Sequence, residues 1–598
     1  MNVRGRPRAW LAASLAACCA VAQAALPLRI DARALTSAQL ESTRQLLDQA
    51  ERRLPPAWIV ALDPRIVVTW ADLPERVHGH AGARTLQLSR ALLEPGMEQA
   101  ALVALIHELA HFYDRAGPGL LSRDPRLLDL AGWQVAPMRM RLRKTSNGFS
   151  DRSPDAYELT DPVEFVAVNL EFFLLDPDYA CRRPALHQHF AAHFDWAPPA
   201  NPCPAQMPFL QAEEGEPPLL ELDPARVYAV DYLLAEGNEK PLSRWGHSML
   251  RLVICAPDRR PGPACRFDLS HHRVLSFRAF VGDVQISSWR GLTGSYPSRL
   301  FLLPLDQVID EYTKVELRGL RSVPLRLGPD EIAGLLGRAA QLHWNYNGRY
   351  YFISNNCAVE TFKLLHDGVP RLAAQPLASI TPNGLLRRLE KSGIADASVL
   401  EDRVEAVRLG YRFESASDHF QALFDIASSV LGLPPSPVAD WFGLSPDARR
   451  PWLEMADLRA SAALLLLEEA SLRRQELRAY DELKRQLLDT ATTSGDQTPN
   501  VDLVRDFLQA GGFLSRPSTL LPAEGYGLPL PEELRILSQH AQQRLTQLQR
   551  QEAALQAESR RWLSSARQAA LAGTEDNIAA LGERLRQLHQ DQGGLQLR

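Results

Sequence analysis

A cysteine near the middle of the chain is the first candidate for chemistry. The stretch YYFISNNCAVETFKLLH, residues 350–366, places Asn355 and Asn356 directly before Cys357, and apolar residues recur every three positions after it. Asparagine is a preferred helix N-cap, so the pattern predicts that Cys357 lies in the first turn of a helix. The free N–H groups and the dipole of a helix start favour a thiolate. The sequence therefore indicates a reactive thiol, with a small buried core residue as the alternative.

The cysteine count leaves this thiol without a partner. The chain has seven cysteines, two of which lie in the apolar N-terminal segment described below. Local spacing among the other five predicts two disulfides. The predicted pairs are Cys181 with Cys203 and Cys255 with Cys265. We therefore expect Cys357 to be unpaired.

A histidine partner is found about a hundred residues earlier. LSRWGHSMLRLVI places His247 at the start of a predicted strand. Close to the cysteine, it would form a thiolate–imidazolium pair able to attack an acyl carbonyl. His272 and Ser276 lie on the adjoining predicted strand, and either could orient the imidazole. The backbone N–H of Cys357 and the amide of Asn356 are candidates for the oxyanion hole.

A second candidate site is an H-E-x-x-H motif in AALVALIHELAHFYDRA, residues 100–116. The four-residue spacing puts His107 and His111 on one helix face, where both imidazoles can bind one ion. Glu108 would then take a proton from water at the metal. The motif predicts zinc, which needs a third protein ligand and an open fourth position. A chance motif on a buried helix is the alternative.

The third zinc ligand is predicted downstream, in DAYELTDPVEFVAVNLEFFLLD. Glu164 falls in the first turn of a predicted helix, and Glu171, one heptad later, is the competing candidate. The arrangement over about residues 70–195 resembles the glutamate-zincin metalloproteases. EFVA in particular resembles the ligand helix of the lethal-factor-like zincins. That resemblance implies a catalytic role for Tyr157, seven residues before Glu164.

The cysteine region carries several motifs in one order: WGHSMLRL, LSFRAFVGD, GLTGSYPSRLFLLPLDQVIDEY and YYFISNNCAVETFKLL. The order of these two residues, with the histidine before the cysteine, resembles that in the circularly permuted papain-like fold of the lecithin:retinol acyltransferase group. Together, over about residues 225–390, the motifs resemble the periplasmic domain of the bacterial lipoprotein N-acyltransferase family Lnb. This resemblance implies that Cys357 forms an acyl thioester and that His247 is the general base. Asn355 stands where that family usually has an acidic residue.

The elements around these sites predict an α+β multidomain protein. Proline-rich stretches separate an N-terminal from a central region, and the composition shifts to Leu, Ala, Arg, Glu and Gln after about residue 396. The predicted domains are a zincin-like domain over 25–210, a permuted papain-like domain over 220–395 and a helical region over 396–598. Residues 460–489 predict one long amphipathic helix. Heptad spacing of Leu548, Leu555 and Trp562 predicts a helical hairpin or coiled coil, which could also pair with another copy.

The N-terminus predicts export. Basic MNVRGRPR is followed by an apolar run and the small-x-small site Ala22–Ala24, which indicates a signal peptide of residues 1–24. Cleavage after Ala24 predicts a periplasmic or secreted protein, and a lipoprotein anchored at Cys18 is the alternative. Beyond this segment no apolar run approaches the roughly 20 residues of a spanning helix, so we expect peripheral membrane contact. A net charge of −5 gives no reason to expect nucleic acid.

Three functions compete. The leading expectation is a cell-envelope cysteine acyltransferase or amidohydrolase that uses Cys357 and His247 on an envelope lipid or a lipoprotein or peptide amine. The enzymatic alternative is a zinc metalloprotease built on His107, Glu108 and His111, with the papain-like domain regulatory or substrate-binding. The non-enzymatic alternative is an envelope scaffold that binds partners through the C-terminal helices.

Overall fold

The computed structural model describes most of the chain. The described residues are 26–116, 120–133, 143, 147–211, 216–237, 245–279, 296–351, 355–493, 513–514, 516–522 and 525–591. The predicted signal peptide, with Cys18, lies outside them. The chain forms two compact units, the first comprising residues up to Leu121 with Val166–Leu175 and Phe190–Pro198, and the second the remainder. Strands and helices in both confirm an α+β multidomain protein.

The N-terminal third contains four strands and seven α-helices among the described residues. The strands are β1 (Arg29–Ile30), β2 (Val67–Ala71), β3 (Gly79–Ala81) and β4 (Thr85–Ser89). The helices are α1 (Ser37–Glu51), α2 (Pro56–Ala61), α3 (Glu98–Ala116), α4 (Pro125–Ala131), α5 (Pro162–Leu175), α6 (Tyr179–Arg182) and α7 (Pro184–Phe194).

The sheet of the first unit has the order β1-β2-β4-β3. Strands β1 and β4 run parallel to β2, and β3 pairs antiparallel with β4 at one edge. Helix α3 packs against β3, β4, α1 and α2. Its leucines, alanines and isoleucine at helical spacing supply the buried face, including Leu102, Leu105 and Leu109. This packing fixes the helix that carries the H-E-x-x-H motif.

The central region contains nine strands, five α-helices and one π-helix in its described residues. The strands are β5 (Met207–Leu210), β6 (Leu219–Leu222), β7 (Val227–Ala235), β8 (His247–Ile254), β9 (Arg273–Ala279), β10 (Tyr296–Pro304), β11 (Leu320–Pro324), β12 (Gly348–Tyr350) and β13 (Arg412–Phe413). The helices are α8 (Leu305–Ile309), a π-helix (Asp310–Val315), α9 (Pro329–Asn345), α10 (Cys357–Gly368), α11 (Pro370–Ala373) and α12 (Pro382–Lys391), the π-helix continuing directly from α8.

A seven-stranded antiparallel sheet with the order β12-β10-β9-β8-β7-β11-β13 forms the centre of the second unit. Helix α10 packs against β8 and β9, and α9 packs against α10. Val230, Leu252 and Leu365 are fully buried in the core between these layers. Each such side chain contributes about 1.5–3 kcal/mol through burial. The packing brings the starts of β8 and α10 together.

Gly246 shapes the start of β8. Its φ is +84°, in the left-handed region, where glycine has no steric penalty. A Cβ there would lie 2.5 Å from the carbonyl oxygen of Ala235 on β7. The glycine before His247 therefore lets β7 and β8 approach closely at the point where the histidine is presented.

The C-terminal region is helical in its described residues. The helices are α13 (Arg403–Arg408), α14 (Ala416–Leu431), α15 (Val438–Gly443), α16 (Pro446–Met455), α17 (Leu458–Thr493), α18 (Pro531–Trp562) and α19 (Ser565–Asp591). Helix α17 contains the predicted amphipathic helix and packs against α14 and α19, whereas Leu534, Leu537 and Leu545 of α18 join the core of the seven-stranded sheet. Within the described residues, none of the helices combines the length and apolar character that crossing a bilayer requires.

Both predicted disulfides are confirmed. Cys181 is bonded to Cys203 and Cys255 to Cys265, while Cys357 is a free, buried thiol. Disulfides persist in oxidising compartments, so the two bridges fit an exported protein.

Candidate active site

Cys357 is the first residue of α10, as its asparagine neighbours predict. Asn356 is the N-cap, and its side-chain oxygen accepts hydrogen bonds from the N–H groups of Ala358 at 3.0 Å and Val359 at 3.2 Å. The amide nitrogen of Asn356 donates to the carbonyl of Ile380 at 2.8 Å. Asn356 therefore fixes the helix start with both ends of its amide. To serve as an oxyanion donor, its nitrogen would have to leave the Ile380 carbonyl.

The thiol of Cys357 is acidic despite its burial. Its exposed fraction is 5%, and burial by itself raises the pKa of a thiol. The positive charge of His247 acts in the opposite direction, together with hydrogen bonding from His247 and from the backbone N–H of Ser248. Together they lower the pKa of Cys357 to about 6. The structure thus brings the predicted cysteine and histidine into one interacting pair.

The imidazole of His247 is held on two sides. Its Nε2 lies 3.2 Å from the hydroxyl oxygen of Ser276 on β9. The ring of Tyr312, in the π-helix, stacks on it with 6.1 Å between ring centroids and 16° between ring planes. Of the two orienting candidates from the sequence, Ser276 is the one in contact with His247.

Ser276 is also hydrogen-bonded to one member of an ion pair. Arg278 Nε donates to the Ser276 hydroxyl oxygen at 3.4 Å, and its Nη2 donates to Glu311 at 2.8 Å. A series of hydrogen bonds therefore connects Glu311 through Arg278 and Ser276 to His247. The direct neighbour of the imidazole is therefore the neutral Ser276 hydroxyl, and the Glu311 carboxylate is separated from His247 by Arg278 and Ser276.

His272, the other orienting candidate, belongs to a separate buried cluster. Its Nδ1 accepts from Arg251 Nη2 at 2.9 Å, and its Nε2 lies 2.8 Å from the carbonyl of Cys265. Burial, followed by the charge of Arg251, lowers the pKa of His272 to about 3. His272 is therefore a neutral core histidine, and it lies just before β9 rather than on the strand where the sequence analysis placed it.

Tyr350 is a site residue to which sequence reasoning gave no role. The backbone N–H of Cys357, a predicted oxyanion-hole donor, donates to the Tyr350 hydroxyl oxygen at 3.2 Å. Burial, followed by the negative charge of a Cys357 thiolate, raises the pKa of Tyr350 well above its ordinary value. Tyr350 is therefore a neutral hydroxyl beside the sulfur. Its place in an aromatic-rich stretch before the cysteine was the available signal.

The side chain of Asn355 belongs to a buried polar network that includes residues of α10. Its side-chain oxygen accepts from Lys363 Nζ at 2.6 Å, and its nitrogen donates to Glu360 at 2.5 Å. Lys363 Nζ also lies 3.6 Å from Glu360, and Tyr346 donates to the same carboxylate. Buried charges need partners, and Glu360 supplies the carboxylate for Lys363. An acidic residue at position 355 is not required for that neutralisation.

The two imidazoles of the H-E-x-x-H motif in the first unit also lie close together. Nε2 of His107 and Nε2 of His111 lie 3.1 Å apart on α3. Two nitrogens that bind one zinc ion at about 2.0–2.1 Å in tetrahedral geometry are separated by a similar distance. Nδ1 of His107 contacts the carboxylate of Glu171 on α5. Histidines that bind metals usually donate the other ring N–H to a carboxylate, a backbone carbonyl or water, and Glu171 is such a partner.

Glu108 is held next to an edge strand. Its exposed fraction is 6%, and a Cβ built on Gly79 of β3 would lie 2.6 Å from Glu108 Cγ and from its carboxylate. Glycine at position 79 therefore allows the strand to pass directly over this carboxylate. The same close approach fixes where the carboxylate can lie.

Glu164 lies near the start of α5, and Tyr157 lies before that helix. Glu164 lies in the first turn of α5, as predicted, where its N–H and that of Val163 donate to the Asp161 carboxylate at 3.1 and 2.7 Å. Tyr157 lies in a turn of 3-10 helix, Ala156–Leu159, with half of its surface exposed. The roles of both residues stay predictions.

Two family models match parts of the chain. Residues 27–118 and 119–203 match a domain of unknown function, DUF7844. Residues 216–392 match the Lnb N-terminal periplasmic domain. This match supports the resemblance expected for about residues 225–390 and fits an exported, envelope-associated protein. Neither family description mentions a zincin domain, so that part of the expectation stays a prediction.

Several curated relatives are similar to a short part of the chain. Mlc titration factor A of Salmonella paratyphi A is 31% identical over 131 residues, 21% of this chain and 47% of the relative. Mlc titration factor A of Salmonella agona is 37% identical over 97 residues, 15% of this chain and 37% of the relative. The chain thus spans less than half the length of these relatives. No solved structure matches it.

Proposed function

We propose that this protein is an envelope-associated cysteine acyltransferase or amidohydrolase with Cys357 as nucleophile and His247 as general base. The observation that carries the proposal is the thiol at the start of α10, whose pKa is lowered to about 6 beside His247. Catalytic cysteines are found in such electropositive positions at helix N-termini, whereas structural ones are inert.

Acylation would begin when His247 accepts the proton of the Cys357 thiol and the thiolate attacks an acyl carbonyl. A carbon–sulfur bond forms, and the carbonyl oxygen becomes an oxyanion near the Cys357 N–H. That N–H now donates to Tyr350, so the oxyanion would take its place and could accept from the Tyr350 hydroxyl as well. The imidazolium then protonates the leaving oxygen or nitrogen as its bond to the acyl carbon breaks. A thioester and a neutral His247 remain.

The second half of the reaction returns the enzyme to its starting state. An amine or a water molecule gives a proton to His247 while it attacks the thioester carbonyl. The carbon–sulfur bond breaks, and the thiolate recovers the proton from the imidazolium. An amine gives acyl transfer, and water gives hydrolysis.

The resemblance to Lnb supports a lipid as the acyl donor and a lipoprotein amine as the acceptor. The match at residues 216–392 is the observation behind this choice of substrates. The contacts of Cys357, His247 and Ser276 suit any acyl ester or amide, so the geometry supports the reaction type and the resemblance supports the substrate.

The test is the intact mass of the mature protein after incubation with an acyl-phospholipid donor. We expect one added acyl group, lost in Cys357→Ala and released by hydroxylamine, which cleaves thioesters. His540→Ala, on an exposed face of α18, is the matched control and should be acylated like the wild type. An acyl group that persists in Cys357→Ala, or its absence from the wild type, would exclude the thioester mechanism.

A second candidate function, a zinc metallopeptidase, is favoured by the geometry of α3. We infer zinc binding from the 3.1 Å separation of the Nε2 atoms of His107 and His111, and from Glu171 on the other nitrogen of His107. Glu164 is the proposed third ligand, since it lies seven residues before Glu171 and therefore on the same face of α5. Bound zinc would polarise a peptide carbonyl and make water a better nucleophile.

In this second candidate, Glu108 would take the proton from the attacking water and pass it to the leaving amine. Tyr157 would donate a hydrogen bond to the developing oxyanion, as the resemblance to lethal-factor-like zincins implies. Glu108→Gln separates the two roles, because it should leave zinc binding intact and remove peptide cleavage. Measured zinc content and cleavage of a mixed peptide library test both. Wild-type protein without zinc after refolding in its presence would refute the candidate.

A further inference from the structure

A cavity in the second unit lies beside the segment that holds the proposed general base. It has a volume of about 350 Å³ and is lined by residues of the π-helix Asp310–Val315, α14 and α17. Tyr312 of that π-helix stacks on His247, whereas Lys314 and Val315 line the cavity. The proposed acyl transfer assigns no role to this cavity.

Positive charge is concentrated at the cavity. Lys314, Arg473 and Arg474 line it, and Glu469 is the acidic residue among the lining residues that the structure describes. Partial burial, followed by the like charge of Arg478, lowers the pKa of Arg474. An anion at this position would offset both effects, because it would supply the missing opposite charge.

One more carboxylate lies near this group of cations. Asp310 Oδ1 is 2.6 Å from Lys314 Nζ, but the side chains are about half exposed. Exposed ion pairs of this kind contribute only about 0–1 kcal/mol. Lys314 can therefore exchange this partner for a bound anion at little cost.

Apart from His419, the other lining residues are apolar. Val315, Phe420, Leu466 and Ala470 line the cavity between the cations, and Leu466 is 44% exposed. A cavity with a basic rim and an apolar wall matches a molecule that has both a negative head and a hydrocarbon chain. A small hydrophilic anion would leave the apolar wall in water.

We propose that this cavity binds an anionic amphiphile, with a phosphate head on the basic rim and an apolar chain against Phe420 and Leu466. Guanidinium groups bind phosphate oxygens in a bidentate way, which favours Arg473 and Arg474 for the head. The volume falls within the range of small-molecule sites, about 300–1,000 Å³. Such a site would give the protein a contact with anionic lipid that does not depend on acyl transfer.

Calorimetric titration of the full mature chain with three probes tests the proposal. Dodecyl phosphate, below its micelle concentration, carries both head and chain, inorganic phosphate carries the head alone, and dodecyl maltoside carries the chain with a neutral head. We expect one dodecyl phosphate per chain, at least about tenfold weaker binding of inorganic phosphate and no saturable binding of the maltoside. None of the probes is an acyl donor, so the result is independent of the chemistry at Cys357.

Two variants and a control place the binding in the cavity. Arg473→Gln and Leu466→Asn change exposed side chains and should each weaken dodecyl phosphate binding about tenfold, with unchanged thermal melting. Arg544→Gln, on an exposed face of α18, should bind like the wild type. Equal binding of both phosphate probes would show a site for the head alone and overturn the amphiphile. Wild-type affinity in both cavity variants, or no binding by the wild type, would also overturn the proposal.

Discussion

The two candidate sites use histidine in opposite electrostatic settings. On α3, the side chains around His107 and His111 include the carboxylates of Glu108 and Glu171, so the group attracts a cation. At Cys357 the charges balance within the protein, because a thiolate on the cysteine is offset by His247. The first arrangement suits the proposed metal ion, and the second suits the proposed pair of nucleophile and base.

The neighbour of each imidazole shows the same difference. His107 has a carboxylate on its Nδ1, which orients a metal ligand and raises its basicity. His247 has the neutral hydroxyl of Ser276 on its Nε2, with the nearest carboxylate of that network beyond Arg278. A general base must also release its proton within each turnover. The Ser276 hydroxyl can hold the imidazole ring in place without adding a charge of its own.

Removal of the proposed base at the cysteine site should have the largest effect. We expect His247→Ala to slow acylation of Cys357 about 10³-fold, since a general base typically contributes 10²–10⁴-fold. Single-turnover acylation, followed by intact mass, measures it. The matched control His540→Ala should keep the wild-type rate. A His247→Ala rate within threefold of wild type would remove His247 from the mechanism.

Titration of the Cys357 thiol measures the charge balance at the same site. Absorbance near 240 nm should rise with a midpoint near pH 6 in the wild type, the pKa to which Cys357 is lowered. In His247→Ala the midpoint should move above about 8.5, because burial then acts without the opposing positive charge. The signal should disappear in Cys357→Ala. Equal midpoints in wild type and variant would contradict a pairing with His247.

Removal of one imidazole tests whether the side chains of α3 bind a metal ion. We expect His111→Ala to weaken zinc binding by more than about 100-fold, since loss of a ligand exceeds the effect of losing its supporting hydrogen bond. Competition with a zinc-sensitive dye measures the affinity. Cys357→Ala should bind zinc like the wild type, which would show that the two sites act separately. An unchanged affinity in His111→Ala would identify α3 as a structural helix.

The carboxylate beside His107 gives a smaller effect. Glu171→Gln keeps the size of the side chain and a hydrogen-bond acceptor but removes the charge, so zinc affinity should fall about 10- to 100-fold. The same dye competition measures it, with thermal melting as a check on the fold. If Glu171→Gln loses as much affinity as His111→Ala, Glu171 is itself a ligand, the alternative that the sequence left open.

The hydroxyl beside His247 gives the smallest effect. Ser276→Ala should slow acylation about tenfold, since it removes a neutral orienting contact and leaves the base in place. Ser276→Thr retains a hydroxyl and should recover part of the rate. A loss as large as that of His247→Ala would mean that Ser276 takes part in proton transfer.

Local patterns determined much of this protein. Asn356 caps the helix that begins at Cys357, and the spacing of the other cysteines gave both disulfides. The helical pattern around His107 likewise gave α3. Capping and periodicity involve residues close together in the chain, so sequence alone can reveal them.

Contacts between distant strands and helices were decided only by the tertiary structure. Ser276 lies within β9, whereas His272 lies just before its first residue, Arg273, so the regular alternation of side chains along a strand does not extend to His272. The register of β8, β9 and β10 places Ser276 at His247 and sends His272 into the cluster of Arg251. Tyr350 likewise reaches Cys357 because of where β12 ends. Pairing register and helix packing depend on the whole core, because neighbouring side chains compete for the same buried space.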